Sequence, residues 1–142
     1  MKILAYSHNV HPTVGGIATY CNTLCAALTD AGEELSLLAP GGGAKRDCHY
    51  PLVAMPVDLA SDQISLAGYG EAIRLLRATL RRLRPDVLWC CNVDALYVFA
   101  LASVDVAVAV TVHGSEIVRT FGRLGLLPMI RARLIGRALA RT

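Results

Sequence analysis

Wholly apolar, β-type runs alternate with helical segments along the chain, and this alternation restricts the fold more than any other feature. Strands are predicted for residues 2–7, 35–39, 50–57, 86–91 and 106–112, and helices for residues 17–31, 70–84, 93–103 and 122–141. Because the strand runs are continuously apolar, both faces of their sheet must be covered. The sequence therefore predicts a single α/β domain, a Rossmann-like doubly wound parallel sheet with helices on both faces.

Two segments carry the strongest local signals. Residues 106–112 are almost entirely apolar and β-branched, which predicts a buried strand. Helix 17–31 places Ile17 and Tyr20 on one apolar stripe, and Gly32 follows as its predicted C-terminal cap. Both signals fit the alternating pattern.

The composition excludes several classes of chain. Of the 142 residues, 54% are apolar and 18% are charged, which excludes a disordered tail, a collagen-like repeat and a coiled coil. No window of about 18 residues is free of charged or strongly polar residues, and no signal peptide is recognisable, so no transmembrane helix is predicted. Five cysteines, an odd number, indicate a reducing cytoplasm and buried free thiols. Cys21 and Cys25 should share a helix face, whereas Cys90 and Cys91 should point to opposite faces of a strand.

The positive charge is concentrated in two segments. Twelve of the 14 basic residues are arginines, and the net charge is +3. The clusters comprise Arg74, Arg77, Arg81, Arg82 and Arg84, and then Arg119, Arg123, Arg131, Arg133, Arg137 and Arg141. Such clusters indicate either a solvated helix face or an anionic partner. In 122–141 the arginines neighbour apolar residues, so this helix suits an anionic membrane surface or packing against the sheet.

A pair of glycines, Gly15-Gly16, separates the first strand from the first helix. Glycine lets a ligand approach the backbone closely, and the N–H groups of a helix N-terminus favour phosphate. The alternative is a tight turn that needs positive φ. The segment is neither a dinucleotide fingerprint nor a P-loop, because Gly15-Gly16-Ile17-Ala18 has the spacing of neither motif.

A histidine, His113, directly follows the strand predicted at 106–112. In an open parallel sheet the carboxyl ends of the strands face the ligand crevice, so His113 is a candidate hydrogen-bonding residue there. The alternative is a structural histidine whose hydrogen bonds are satisfied. Gly114 leaves space beside it, and Glu116 is either a general base or part of a helix cap opened by His113 or Ser115. His8 and His11 flank the first loop, and either could line the same crevice; their spacing is not that of a metal-ligand pair on a helix.

Taken in order, these segments resemble one enzyme family. They are Lys2-Ile3-Leu4, His11-Pro12-x-x-Gly15-Gly16-Ile17-Ala18, Leu35-Ser36-Leu37-Leu38-Ala39-Pro40, Leu83-Arg84-Pro85-Asp86-Val87-Leu88 and Val110-Thr111-Val112-His113-Gly114-Ser115-Glu116. The pattern is similar to the N-terminal half of a family 4 retaining glycosyltransferase, which has the two-domain GT-B fold. The resemblance extends over almost the whole chain.

The resemblance implies a role for each site residue. Gly15 and Gly16 would lie against the donor diphosphate or the acceptor, and His113 would be the catalytic contact to the transferred sugar. The implied substrate-binding set adds His11, Gly114, Ser115 and Glu116. The donor would be a nucleotide sugar and the acceptor a glycan or a lipid-linked molecule. No cofactor, no metal and no nucleic acid is implied.

The resemblance also implies a division of labour between two domains. Residues 1–142 would form the N-terminal, acceptor-side domain, incomplete at its C-terminus. The basic residues and the glutamate pair of the donor-binding domain have no counterpart here. The chain alone is therefore expected to be inactive, to self-associate, and to lie in the cytoplasm or at the inner face of the membrane. Alternatives are a stand-alone, non-catalytic phosphate- or nucleotide-binding module and an interaction domain for a separate subunit.

Overall fold

Strands and helices alternate in the structure as they do in the sequence. The computed structural model describes residues 1–10, 13–41, 50–55, 58, 65–102, 104–113 and 133. The strands are β1 (Lys2–Tyr6), β2 (Glu34–Pro40), β3 (Leu52–Met55), β4 (Val87–Cys90) and β5 (Ala107–Val110). The helices are α1 (Gly16–Asp30), α2 (Leu66–Leu83) and α3 (Leu96–Leu101), with a 3₁₀ turn at Val93–Ala95 before α3. All five predicted strands and the first three predicted helices are confirmed. Of the fourth predicted helix, 122–141, the described part is Arg133, which is helical.

The described strands form one parallel sheet in the order β3-β2-β1-β4-β5. The first strand is central, because Ile3 pairs with Leu35 of β2 on one side and with Val87 of β4 on the other. The chain therefore winds outward from β1 in one direction and then in the other. This is the doubly wound parallel sheet that the sequence predicts, and its order reverses between β1 and β4.

Alternate residues of the central strand β1 contribute to two separate apolar cores. Leu4 and Tyr6 of β1 belong to the core under α2 and α3. Ile3 and Ala5 belong to the core under α1. Successive side chains of a strand point to opposite faces, so a continuously apolar strand fills both cores.

The cysteines divide between these cores as predicted. Cys21, Cys25 and Cys91 lie in the core under α1, and Cys90 lies in the other. All four are buried free thiols, whereas Cys48 is outside the described residues. Burial, reinforced by a hydrogen bond with Cys21, raises the pKa of the Cys91 thiol far above its ordinary value. Because the reactive form of cysteine is the thiolate, this thiol acts in packing. Among the described residues, no group of three or more His, Cys, Asp or Glu side chains is arranged to hold a metal ion.

The helix ends show how local sequence sets the element boundaries. Gly32 has φ +83°, and its N–H donates to the Thr29 carbonyl at 2.9 Å, which confirms the predicted cap of α1. In contrast, α2 begins one turn before the predicted start at residue 70. The Ser65 Oγ accepts a hydrogen bond from the Gly68 N–H at 3.1 Å and caps the helix there.

One long face of α2 is exposed and basic. Its exposed arginines are Arg74, Arg77, Arg81, Arg82 and, just beyond the last turn, Arg84. The opposite side of the helix buries Ala72 and Leu76 against the sheet. This first arginine cluster is thus an exposed helix face. Across the ranges that the structure describes, no helix is both long and apolar enough to cross a membrane.

The last described strand corrects one prediction. Residues 106–112 are predicted as a buried strand, but β5 is shorter and lies at the end of the described strand order. Its Ala107 and Ala109 are exposed, while Val108 and Val110 are half-buried against the core under α2 and α3. A β-branched, apolar run reports strand propensity, and it does not report whether the strand is central or at an edge.

Candidate functional site

The carboxyl ends of β1, β4 and β5 meet at one edge of the sheet. The residues that follow these strands are Ser7, Asn92 and Thr111, and α1 begins nearby at Gly16. This edge includes the position between β1 and β4 at which the strand order reverses. Open parallel sheets bind ligands in the crevice at such a position.

A buried polar network joins β1 to β4 at that position. The Ser7 Oγ lies 3.3 Å from the Asn92 Oδ1 and 3.1 Å from the Asn9 carbonyl oxygen. The Asn92 Oδ1 also accepts from the His8 N–H at 3.4 Å. Ser7 and Asn92 are both fully buried. These hydrogen bonds hold the loop after β1 against the loop after β4, and no spacing in the sequence pairs the two residues.

The glycine pair before α1 occupies open space. Gly15 is extended, with φ 165° and ψ 160°, and Gly16 is the first helical residue. Apart from the chain neighbours, no atom of the described residues lies within 4 Å of the position that a Cβ would take on either glycine. Neither glycine has the left-handed φ that a tight turn would require. The alternative of a turn that needs positive φ is therefore wrong, and the backbone remains open to close approach.

In the part of the chain that the structure describes, the N–H groups at the N-terminus of α1 have no hydrogen-bond acceptor. The first backbone hydrogen bond of the helix runs from the Thr19 N–H to the Gly15 carbonyl at 3.0 Å. The N–H groups of Gly16, Ile17 and Ala18 precede it and have no intrahelical acceptor. No side chain among the described residues caps the helix, and its first turn has no acidic residue. Such a terminus favours an anion, because the donors and the helix dipole both attract negative charge.

The imidazole of His113 is held by one backbone carbonyl. Its Nε2 lies 3.1 Å from the Cys91 carbonyl oxygen, and the side chain is half-buried. Because a carbonyl can only accept, Nε2 carries the proton in this hydrogen bond. In the neutral ring Nδ1 is then an acceptor, and no described residue hydrogen-bonds it. His113 is therefore anchored at one nitrogen and open at the other.

An aromatic cluster surrounds His113 on the α1 side. The ring of Tyr20 lies 5.5 Å from that of His113 and 6.4 Å from that of Trp89, both nearly perpendicular to it. The Trp89 Nε1 donates to the Thr111 Oγ1 at 3.0 Å, and the Tyr20 hydroxyl lies 3.5 Å from the same oxygen. The sequence pattern assigned Tyr20 only to the apolar stripe of α1 and missed its contact with His113. The signal that could have found this contact is the position of Tyr20 one turn after Gly16.

Comparison with known proteins assigns the chain to a family. The sequence profile of Glycosyltransferase Family 4 matches residues 14–142, a range that contains Gly15, Gly16 and His113. The chain belongs to glycosyltransferase family 4. The family match confirms the resemblance found in the sequence.

Comparison of structures finds seven matching chains. One is the crystal structure of SsfS6, a glycosyltransferase of Streptomyces sp. SF2575, at 17% sequence identity and a TM-score of 0.48. The match covers 99% of the family 4 domain and 46% of SsfS6, so the domain spans about half the length of that protein. No curated protein sequence matches the chain.

The predicted site residues of the family 4 domain fall into two groups. The group that the structure describes comprises Gly15, Gly16 and His113. Tyr20 connects these residues, because it lies on the helix that begins at Gly16 and its ring contacts that of His113. The remaining predicted residues, His11, Gly114, Ser115 and Glu116, lie outside the described residues. Their roles stay predictions.

Proposed function

We propose that the family 4 domain is the N-terminal, acceptor-side half of a retaining glycosyltransferase with the GT-B fold. The enzyme moves a sugar from a nucleotide-sugar donor to a glycan or a lipid-linked acceptor. The observation that carries the proposal is the open N-terminus of α1. Within the described ranges, neither Gly15 nor Gly16 has a neighbour at the Cβ position or adopts a conformation that only glycine allows, so no described contact requires these glycines. A ligand that needs close approach to the backbone accounts for them.

The N–H groups at the N-terminus of α1 suit the chemistry of sugar transfer. The bond between the anomeric carbon and the diphosphate oxygen breaks, a bond forms to the acceptor hydroxyl oxygen, and the hydroxyl proton passes to the departing diphosphate. Negative charge grows on the departing diphosphate as the bond breaks. The free N–H groups of Gly16 and its neighbours are fixed donors that stabilise such charge, and helix formation has already oriented them.

In the same proposal, His113 contacts the transferred sugar. With Nε2 committed to the Cys91 carbonyl, the neutral ring offers Nδ1 as an acceptor for a sugar hydroxyl. His11, Gly114, Ser115 and Glu116 complete the substrate-binding set. No cofactor or metal is included, and the nucleotide sugar is the substrate.

The direct test is sugar transfer by the complete product of the gene. It should be incubated with a panel of nucleotide sugars and with glycan and lipid-linked acceptors, beside a heat-inactivated control. Transfer supports the proposal. Binding of a nucleoside diphosphate with no transfer to any acceptor favours the alternative, a non-catalytic nucleotide-binding module, which the same open helix N-terminus would serve.

Replacing His113 with alanine should lower kcat about tenfold or more, because a hydrogen bond to the reacting sugar is lost. The measurement is steady-state kinetics on the complete gene product. Val112→Ala is the matched control, since Val112 is an exposed neighbour on the same segment. Unchanged kcat in a folded His113→Ala variant would remove His113 from the site.

We further propose that the enzyme lies in the cytoplasm and contacts the anionic inner face of the membrane through 131–141. The domain should then co-sediment with vesicles that contain anionic lipid, and the bound fraction should fall at high salt. Changing Arg131 and Arg137 to glutamate should abolish the binding. The same change at Arg74 and Arg81, on the exposed face of α2, is the matched control. Absence of binding at low salt would reject the proposal.

A further inference from the structure

We infer that Tyr20 is a positioning residue that fixes the orientation of the His113 imidazole, an inference that rests on the proposed function of His113. The nearly perpendicular packing of the two rings carries it. Their centroids are 5.5 Å apart and their planes form an angle of 80°. Aromatic pairs are attracted in this edge-to-face arrangement, because the positive edge of one ring meets the negative face of the other.

One hydrogen bond cannot fix the plane of an imidazole. The bond from His113 to the Cys91 carbonyl holds the position of Nε2, but the ring can still pivot about that point. In the described residues, the last backbone hydrogen bond of this segment to β4 is from the Thr111 N–H to the Cys90 carbonyl. His113 lies beyond this anchor. The Tyr20 ring supplies the second contact that limits the pivot, and it thereby sets where Nδ1 points.

Trp89 and Thr111 hold Tyr20 in place. Trp89 is only 7% exposed, and its indole N–H donates to the Thr111 Oγ1 at 3.0 Å. The Thr111 hydroxyl proton remains free to point toward the Tyr20 oxygen, 3.5 Å away. Tyr20, Trp89 and Thr111 thus form one support on the side of His113 that faces α1.

The exposure of Tyr20 also argues against a role in packing alone. Cys21 and Cys25, on the same side of the helix, are fully buried and Ile17 is half-buried, whereas Tyr20 is 40% exposed. Its ring therefore lies partly outside the core, at the edge where His113 presents Nδ1. Because Gly16 is one turn earlier on the same helix, α1 carries both the anion-binding terminus and the support of His113.

The first test is a double-mutant cycle in the complete gene product. Tyr20→Leu should lower kcat about three- to tenfold with little change in KM, the factor that an edge-to-face aromatic pair contributes. Tyr20→Phe should stay within about twofold of the parent, because it keeps the ring and loses only the long hydroxyl contact. Tyr69→Leu removes a half-buried aromatic ring on the opposite face and should leave kcat unchanged.

The cycle is completed in the His113→Ala background. There, Tyr20→Leu should cause less than about a twofold further loss, since it acts through the missing imidazole. Losses that multiply in the double variant would overturn the inference, because Tyr20 would then act independently of His113.

The second test does not depend on transfer activity. Nitrogen-15 NMR of the 142-residue chain reports the tautomer and the environment of the His113 ring. The parent and Tyr20→Phe should show one species with the proton on Nε2. Tyr20→Leu should shift both ring-nitrogen signals while the proton stays on Nε2, and Tyr69→Leu should leave both signals unchanged. His113 signals unchanged in Tyr20→Leu would overturn the inference; the expected shifts without any sugar transfer would uphold the contact and reject only the proposed function.

Discussion

Purified as it stands, the 142-residue chain should transfer no sugar. In the proposed two-domain enzyme, the largest contribution to catalysis is stabilisation of the departing nucleoside diphosphate by groups from both domains. The cationic residues and the glutamate pair that the family resemblance implies for the donor side have no counterpart in this sequence. The N-terminus of α1 and His113 alone leave the reaction exposed to water.

The measurement is product formation from nucleotide sugars and the acceptor panel, with the complete gene product turning over under the same conditions as the positive control. A loss of all measurable turnover is expected for the isolated chain. Steady transfer by the isolated chain would show that a second domain is unnecessary, and it would overturn the proposed division of roles. Size-exclusion chromatography on the same sample tests the accompanying prediction that the chain self-associates.

Replacing Gly16 with valine should abolish or greatly reduce transfer while the domain stays folded. The added methyl groups enter the space beside the helix N-terminus, where no described residue other than the chain neighbours lies within 4 Å of the Cβ position. A substrate displaced by about 1 Å loses about a hundredfold in rate, and a blocked site loses more. The fold should tolerate the change, because a β-branched residue costs a helix only about 0.7 kcal/mol relative to alanine.

Gly70→Val is the matched control for this substitution. Gly70 is an exposed glycine of α2 that likewise has no neighbour within 4 Å of a built Cβ. Both variants should keep the circular dichroism spectrum of the parent and a similar Tm, and only Gly16→Val should lose kcat/KM. Near-normal kinetics in a folded Gly16→Val protein would contradict the role of the glycine pair.

The regular elements were predictable because each rests on a short-range pattern. Continuous apolar runs identified the five strands, and Gly32 identified the end of α1. The structure shows the left-handed backbone at Gly32 that this cap needs. The start of α2 was missed because its signal is a single capping hydroxyl, that of Ser65, rather than a repeat of apolar residues. The partial exposure of β5 was missed because strand propensity does not depend on how completely the sheet around a strand is covered.

The site was predictable in part. The order of the segments identified Gly15, Gly16 and His113, since loops after parallel strands converge at one edge. The contacts between them were not predictable, because they join distant parts of the chain. Tyr20 and Thr111 are separated by 91 positions, and Ser7 and Asn92 by 85. Helical periodicity placed Tyr20 on the stripe that faces the sheet, but the first turns of α1 lie at the sheet's carboxyl edge and meet loop residues instead.

The central position of β1 has a consequence for how the chain is synthesised. The ribosome makes β1 first, and β2, which pairs with it from Lys2 to Tyr6, follows soon after. Its second neighbour, β4, emerges roughly 50 residues after β2, which is about 3–10 s at ordinary rates of translation. During that interval one edge of the strand has no partner. Among the described strands, the one that leads into the candidate site is therefore made first but is paired on its second side only late. Until β4 emerges, this unpaired edge is open to chaperones.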